Sequence, residues 1–284
     1  MSNNNQTVDY YIAPKASFDA TADAIRVVTG ESGDIEWKSN GFADALTERR
    51  FTLDGLINGT EGGNVTVSAT VIPDSFFYKN NALTSISAPN VTRIGSYSFF
   101  QCYNLTTVNF PNLVSIYDNA GTYSTIHNTR GATFAYCHNL GNVYLPKLEE
   151  VGTEVFARVG NSQSTYNAII VLPALTATGN YMFRQGKFKG VDLGENCTRI
   201  NSDSFYQGTY DVVVLRSKTL VTAGNRDAVR GITNLYVPSA LVSDYATATN
   251  WVTDAANRTV TAIEGSIYET AYVDGTPIPI GGAS

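Results

Sequence analysis

Residues 94–116, IGSYSFFQCYNLTTVNFPNLVSI, decide the fold, because residues 72–94, IPDSFFYKNNALTSISAPNVTRI, match them at a shift of 22. The shift carries Ile72 onto Ile94, Phe77 onto Phe99, Leu83 onto Leu105 and Ile86 onto Val108. It also carries Pro89 onto Pro111, Val91 onto Leu113 and Ile94 onto Ile116. A third copy, TFAYCHNLGNVYLPKLEEV (133–151), lies 35 residues further on. There Phe134, Cys137, Leu140, Val143, Pro146, Leu148 and Val151 take the same slots, so an insertion of 13 residues falls at about 117–130. Chance does not place that many apolar residues in register. A fixed period of this length is the signature of a stacked repeat architecture.

Later copies are weaker. Phe156 follows Phe134 by 22, and its strand AIIVLP (168–173) arrives late because of a second insertion near 160–167. Phe183 opens a fifth copy with strand GVDL (190–193), and Phe205 a sixth with DVVVL (211–215). In a seventh, Ala228 takes the Phe slot and TNLYVP (233–238) is the strand. Each unit holds one short strand of alternating pattern. In Thr107–Phe110, Val108 and Phe110 face inward while Thr107 and Asn109 face outward. One unit cannot bury its apolar face alone, so the copies stack into a solenoid with a parallel sheet along one side. The Phe slot then forms a stacked ladder on the opposite wall. Cys102 and Cys137 recur with the repeat and fill a small apolar slot in it.

The pattern F-x-x-C-x-x-L-x-x-V-x-F/L-P-x-L-x-x-I, clearest at 99–116 and 134–151, resembles the BspA-like class of leucine-rich repeats. The closing segment 236–265 is similar to the usual end of such arrays, and the resemblance spans about 70–265. It implies a leucine-rich-repeat solenoid with short parallel strands along one face. It also implies a surface adhesion or recognition module without catalytic residues. The organisation expected is a helical attachment region at 1–65, a solenoid of about seven units at 66–239, a cap at 240–265 and an extended tail at 266–284.

The N-terminal region has no repeat. Ser17 is placed to cap a helix with Phe18, Ala22, Ile25 and Val28 on one face and Gly30 at its end. A second helical stretch, 41–48, precedes Leu53 and the Asn58-Gly59 turn. The string FDATADAIRVVTGESGDIEWKSNGFADAL (18–46) resembles a segment of structural proteins from phages of Gram-positive gut bacteria.

Composition narrows the chemistry. The 284 residues are 43% hydrophobic and only 15% charged, with a net charge of −6. An acidic chain without a basic run repels phosphate backbones, so no nucleic-acid partner is expected. The N-terminus lacks a secretory signal and no apolar run is long enough to span a bilayer. Synthesis in a host cytoplasm and location on a virion are therefore the expectation. Three cysteines and two histidines do not make a disulfide framework or a metal set, and no nucleotide, hydrolase or metalloprotease motif is present. No enzyme activity, metal or cofactor is expected. His138 aligns with Tyr103 and reads as structural, and Glu149-Glu150 as a solvated face.

Two surfaces remain. Insertions in solenoids mark binding rims, and the Tyr/Ser/Asn/Gly/Thr composition of 117–131 and 160–166 resembles that of antibody contact loops. Tyr117, Asn119, Tyr123, His127, Asn128, Arg130, Ser162 and Tyr166 are the candidate ligand contacts there, the alternative being plain surface loops. The second surface is the outward stripe of the sheet, including Asn109, Tyr144, Ile169, Val171, Val212, Val214 and Tyr236. Its aliphatic members call for a cover: another chain or symmetry mate, which is preferred, or the segment 267–282. The resulting expectation is a phage virion protein (tail fibre, baseplate or capsid fibre). It would attach to other virion proteins through 1–65 and display an adhesive solenoid to a host-surface protein or glycan, with homo-oligomerisation possible. A bacterial surface adhesin is the alternative, and a surface-polysaccharide hydrolase a remote one.

Overall fold

The structure, a computed structural model, describes residues 26–29, 35–38, 53–116, 131–162 and 166–269. From Gly63 onward the chain winds as a leucine-rich-repeat solenoid with three walls. The first wall is a parallel sheet in two runs. Gly63–Thr66, Leu83–Ser87 and Thr107–Asn109 form one. Val143–Tyr144, Ile169–Leu172, Gly190–Leu193, Val213–Leu215, Asn234–Val237 and Thr259–Ala262 form the other. Gly141 N–H donates to Thr106 O at 2.9 Å and joins the two.

The second wall is built of two-residue strands: Val71–Ile72, Arg93–Ile94, Ser115–Ile116 and Glu150–Val151, each pairing with its neighbour in parallel. That ladder is interrupted after Val151. It resumes where Ala177 bridges Arg199, and Arg199–Ile200 then pairs with Thr222–Ala223.

The third wall carries the Phe slot and is held by left-handed bends. In each copy two non-glycine residues four apart take positive φ: Ser75 and Lys79, Tyr97 and Gln101, Ala132 and Tyr136, Glu154 and Arg158, Tyr181 and Gln185, Asp203 and Gln207. Such a conformation costs about 1–2 kcal/mol per residue for an L side chain. The compensation is a ladder between turns. The N–H groups of Ser75, Phe77 and Lys79 donate to the carbonyls of Ser96, Ser98 and Phe100, and the pattern repeats up the wall.

Inside, the Phe ladder forms as the period predicts. Phe77, Phe99, Phe134, Phe156 and Phe183 stack with centroids 5.0–5.9 Å apart and near-parallel planes, and Phe205 continues at 5.0 Å with a 32° tilt. All are fully buried, and each contact adds about 0.5–1.5 kcal/mol beyond area burial. Val108 and Phe110 are buried while Thr107 and Asn109 are exposed, as the alternation requires. The seventh copy corrects the sequence register. Phe205 N–H donates to Ala228 O, where Phe183 N–H donates to Ser204 O. Val229, not Ala228, therefore occupies the Phe slot, because the 3-10 turn Arg226–Val229 absorbs one extra residue.

Both ends of the array are closed. At the start, the helix Leu53–Asn58 buries Leu56, and Gly59 turns the chain at a φ of 71°. Asn80 stands in the cysteine slot of the first copy. It donates to Leu56 O and Glu61 O and accepts from Ala82 and Leu83 N–H, tying that helix to the repeat. At the far end, Arg258 donates to the carbonyls of Ile232, Trp251 and Val229. Trp251 Nε1–H donates to Val221 O at 2.8 Å.

The helix expected from Ser17 to Gly30 is corrected over its last turn. Arg26–Thr29 is a strand paired antiparallel with Ile35–Lys38. The β-branched run Val27-Val28-Thr29 favours a strand, and the Gly-rich stretch 30–34 suits a reversal. Residues 17–25 and the stretch 41–48 lie outside the described residues. No helix among the described residues is long and apolar enough to cross a membrane.

Candidate functional site

The interruption of the second wall opens a groove of about 670 Å³. Ser115, Ile116 and Arg93 line it from earlier turns, Glu149, Glu150 and Thr153 from the middle, and Thr176, Thr178, Asn180 and Asn201 from later ones. Many of its polar atoms are committed to the scaffold. Thr178 Oγ1 shares a hydrogen bond with Ser204 Oγ and accepts from Asn201 N–H; Asn201 Nδ2 donates to Thr178 O. Thr176 Oγ1 donates to Glu149 O at 3.2 Å. Asn180 is exposed, and its Oδ1 accepts from Ser202 N–H. The Glu149 and Glu150 side chains are exposed, with no ion pair among the described residues. The result is a rigid row of hydrogen-bond donors and acceptors with little apolar area.

The first insertion, with Tyr117, Asn119, Tyr123, His127, Asn128 and Arg130, lies outside the described residues. Its two anchors border this groove. Ile116 lines it, and Gly131 is so close to the Thr153 backbone that a side chain there would strike it. In the second insertion Ser162 is exposed. Tyr166 is fixed by structure: its hydroxyl donates to Asp211 Oδ1 at 2.7 Å, and Lys189 pairs with Asp211 Oδ2 at 2.8 Å. Burial, reinforced by Asp211, pushes the Tyr166 hydroxyl up to about 12.

The outward sheet face divides in two. Asn109 and Tyr144 are exposed, and Asn109 Nδ2 donates to Ser87 Oγ. In the second half Ile169, Val171, Val212 and Val214 are buried. Over Val212 and Val214 lie the chain's own Ile263 and Tyr268, with Tyr236 packed edge to face on Tyr268 at 4.5 Å. The preference for a separate partner over Val212, Val214 and Tyr236 gives way there to the chain's own C-terminal segment. Arg216 fastens it. The guanidinium grips both oxygens of Asp192 at 2.7–3.1 Å and donates to Tyr268 O at 3.0 Å. Asp192 is 2% exposed, and burial holds its carboxyl above the usual range against the opposing pull of Arg216.

The remaining reactive groups belong to the scaffold. Cys102, Cys137 and Cys197 are free and buried, and burial raises every thiol, Cys102 to about 12 and Cys197 to about 11. His138 stacks on Tyr103 at 5.0 Å, and burial lowers its pKa. Among the described residues no three His, Cys, Asp or Glu side chains converge to hold a metal ion.

The sequence reading missed the groove, since Glu149 and Glu150 look like any solvated pair. The available signal was the lengthened spacing from Val151 to Ala177, which breaks the strand ladder between those copies.

Residues 70–210 match the model of the BspA type leucine rich repeat region in 6 copies. No curated protein matches the sequence. Among solved structures, a leucine rich cell surface protein from Faecalibacterium prausnitzii A2-165 is similar at 19% identity and a TM-score of 0.44. The alignment covers 88% of this chain and 55% of that one, so the chain spans little more than half that protein's resolved length. A leucine-rich repeat protein from Bacteroides ovatus ATCC 8483 is similar at 14% identity and a TM-score of 0.40, covering 86% of this chain and 76% of that one.

Proposed function

We propose that this chain, whose residues 70–210 carry BspA-type leucine-rich repeats, is a recognition module that adheres to a cell-surface glycan or protein. The repeat match carries this reading, because the class that the motif resembles consists mostly of surface adhesion modules. The physical basis is consistent with it. A solenoid locked by three backbone ladders presents its polar walls without conformational change, so little ordering entropy is lost on binding. Polar contacts of the kind the groove offers are individually weak, and they gain strength when many copies act together.

The finer placement is a virion, attached through residues 1–65 and displaying the solenoid outward. The likeness of residues 18–46 to phage structural proteins favours it over a bacterial envelope. On either surface, beads coated with the full chain are expected to stay on target cells through washing while the free chain is washed off. Beads that show no retention on any candidate Gram-positive gut host would refute adhesion. Mass spectrometry of purified particles against cell envelopes then separates the two placements.

A further inference from the structure

We infer that the outer face of the Phe-slot wall, over the turns of Phe183, Phe205 and Val229, binds a glycan bearing carboxylates. This deepens the adhesion reading and rests on it. Arg184, Tyr206 and Arg230 each follow the Phe-slot residue of their turn, so stacking sets them in one column. Hydrogen-bonded neighbours of this kind lie ~4.8 Å apart, which places the two arginine backbones about 10 Å from each other. Both guanidiniums pack on the intervening Tyr206 ring, 5.8 and 5.7 Å from its centroid, and Tyr181 holds Arg184 at 5.2 Å. Arg184 Nε is buried without a hydrogen-bond partner, and no described residue forms an ion pair with this guanidinium. Arg230 shares Asp227 with Arg226, each at 3.4 Å, so two cations meet one carboxylate. Asp203, in the Tyr206 turn, forms an ion pair with neither column arginine among the described residues.

The chemistry of this column selects the ligand. A guanidinium stacked on aromatic rings keeps its planar fork in one orientation, and that fork matches the two oxygens of a carboxylate. A cation stripped of part of its hydration and left without a counter-charge gains most from an anion that supplies the missing acceptor. Beside the column, Gln185 Nε2 donates to Gln207 Oε1 at 2.9 Å. The exposed Gln207 keeps its own amide donors and Gln185 its carbonyl, groups that pair with sugar hydroxyls. Carboxylates and hydroxyls occur together on acidic sugars, whereas an acidic peptide offers the charge alone. Arg184 and Arg230 lie far apart in the sequence and form no basic run, so a local cationic column coexists with a net charge of −6.

The test is calorimetric titration of the full chain with a galacturonate tetramer, its methyl-esterified counterpart and a glutamate tetrapeptide. The galacturonate tetramer is expected to bind saturably and at least fivefold more tightly than the ester or the peptide. Arg184→Gln is expected to abolish the preference for acid over ester, and Arg184→Lys, which keeps the charge without the fork, to restore only part of it. Arg230→Gln is expected to weaken the acid alone, and Gln207→Ala to weaken acid and ester together. These last two positions are exposed, so circular dichroism and thermal melting should match the parent even where an Arg184 variant loosens the wall. Equal binding of acid and ester, tighter binding of the peptide, no binding of any probe, or binding indifferent to the arginine substitutions would overturn the assignment. If coated beads still adhere to cells while these titrations fail, the column is wrong and the adhesion reading stands.

Discussion

The thiol of Cys102 donates a hydrogen bond to the carbonyl of Phe77, 2.9 Å away in the preceding turn. Cys137 does the same to Phe99 at 3.1 Å. Further along, the slot holds glycine: at Gly186 the ring of Phe188 fills the space, and at Gly208 a hydroxyl does. There the Tyr210 hydroxyl reaches in from the next strand and donates to Phe183 O at 2.7 Å. A side chain at Gly208 would land on that hydroxyl. In that copy the repeat keeps the bond while changing the residue that makes it. Cys102→Ala removes the bond and opens a small cavity, with an expected loss of about 1–2 kcal/mol in chemical denaturation. The native protein should also leave all three thiols unlabelled by a disulfide reagent, since each is buried and its pKa raised. Rapid labelling of any of them would contradict the core packing.

Left-handed bends at non-glycine residues are a stored cost. Gln101 sits at a φ of 58°, and its backbone N–H donates to Ala135 O in the next turn. Gln101→Gly keeps that bond and relieves the side-chain clash. The gain is reduced by the extra freedom of glycine in the unfolded chain, leaving up to about 1 kcal/mol of stabilisation. A rise in Tm is expected, and a fall would show that the bend is not strained.

Arg216→Met leaves the Asp192 carboxylate buried without its partner and frees Tyr268 O. Removing one member of a buried pair costs about 3–5 kcal/mol, and the C-terminal segment loses its fastening. The pH dependence has a definite sign. Asp192 has a folded-state pKa already raised by burial, and losing Arg216 raises it further. The folded variant then binds a proton more readily than the unfolded chain, so its stability falls as pH rises through that window. The gap between variant and parent should narrow on acidification in urea melts from pH 7 to pH 4.

His138 predicts the opposite slope. Burial depresses its pKa below the ordinary 6.5, so the unfolded chain takes up the proton first. The stability that neutral His138 contributes is full above pH 6.5 and declines as pH falls below it. Its Nδ1 is buried without a hydrogen-bond partner. Tyr fills the same slot at Tyr103, so His138→Tyr should preserve the stack while removing this acid-side loss. Thermal melts at pH 7 and pH 5 should show a smaller drop for the variant than for the parent.

Much of the fold was legible because the information repeats. Phe77, Phe99 and Phe134 each announce the same buried slot, so an error in one copy is corrected by its neighbours. Where copies decay, that support disappears, and the displacement from Ala228 to Val229 follows. Arg26–Thr29 belongs to no repeat, and an amphipathic spacing that fits a helix outweighed its β-branched run. Val212 and Val214 lie under Tyr268, which Arg216 holds through a contact 52 residues distant that no periodicity encodes. The groove was illegible for a related reason: it is made by an absence of strand pairing between Val151 and Ala177, and patterns reveal pairings rather than gaps.

The central claim is recognition of a cell surface, and saturation binding of the labelled full chain to intact Gram-positive gut bacteria tests it most directly. The measurement is made before and after mild periodate oxidation of surface sugars. The account predicts saturable binding that unlabelled chain displaces and that oxidation abolishes. Absence of saturable binding by folded protein, in single copies and on beads alike, would contradict it.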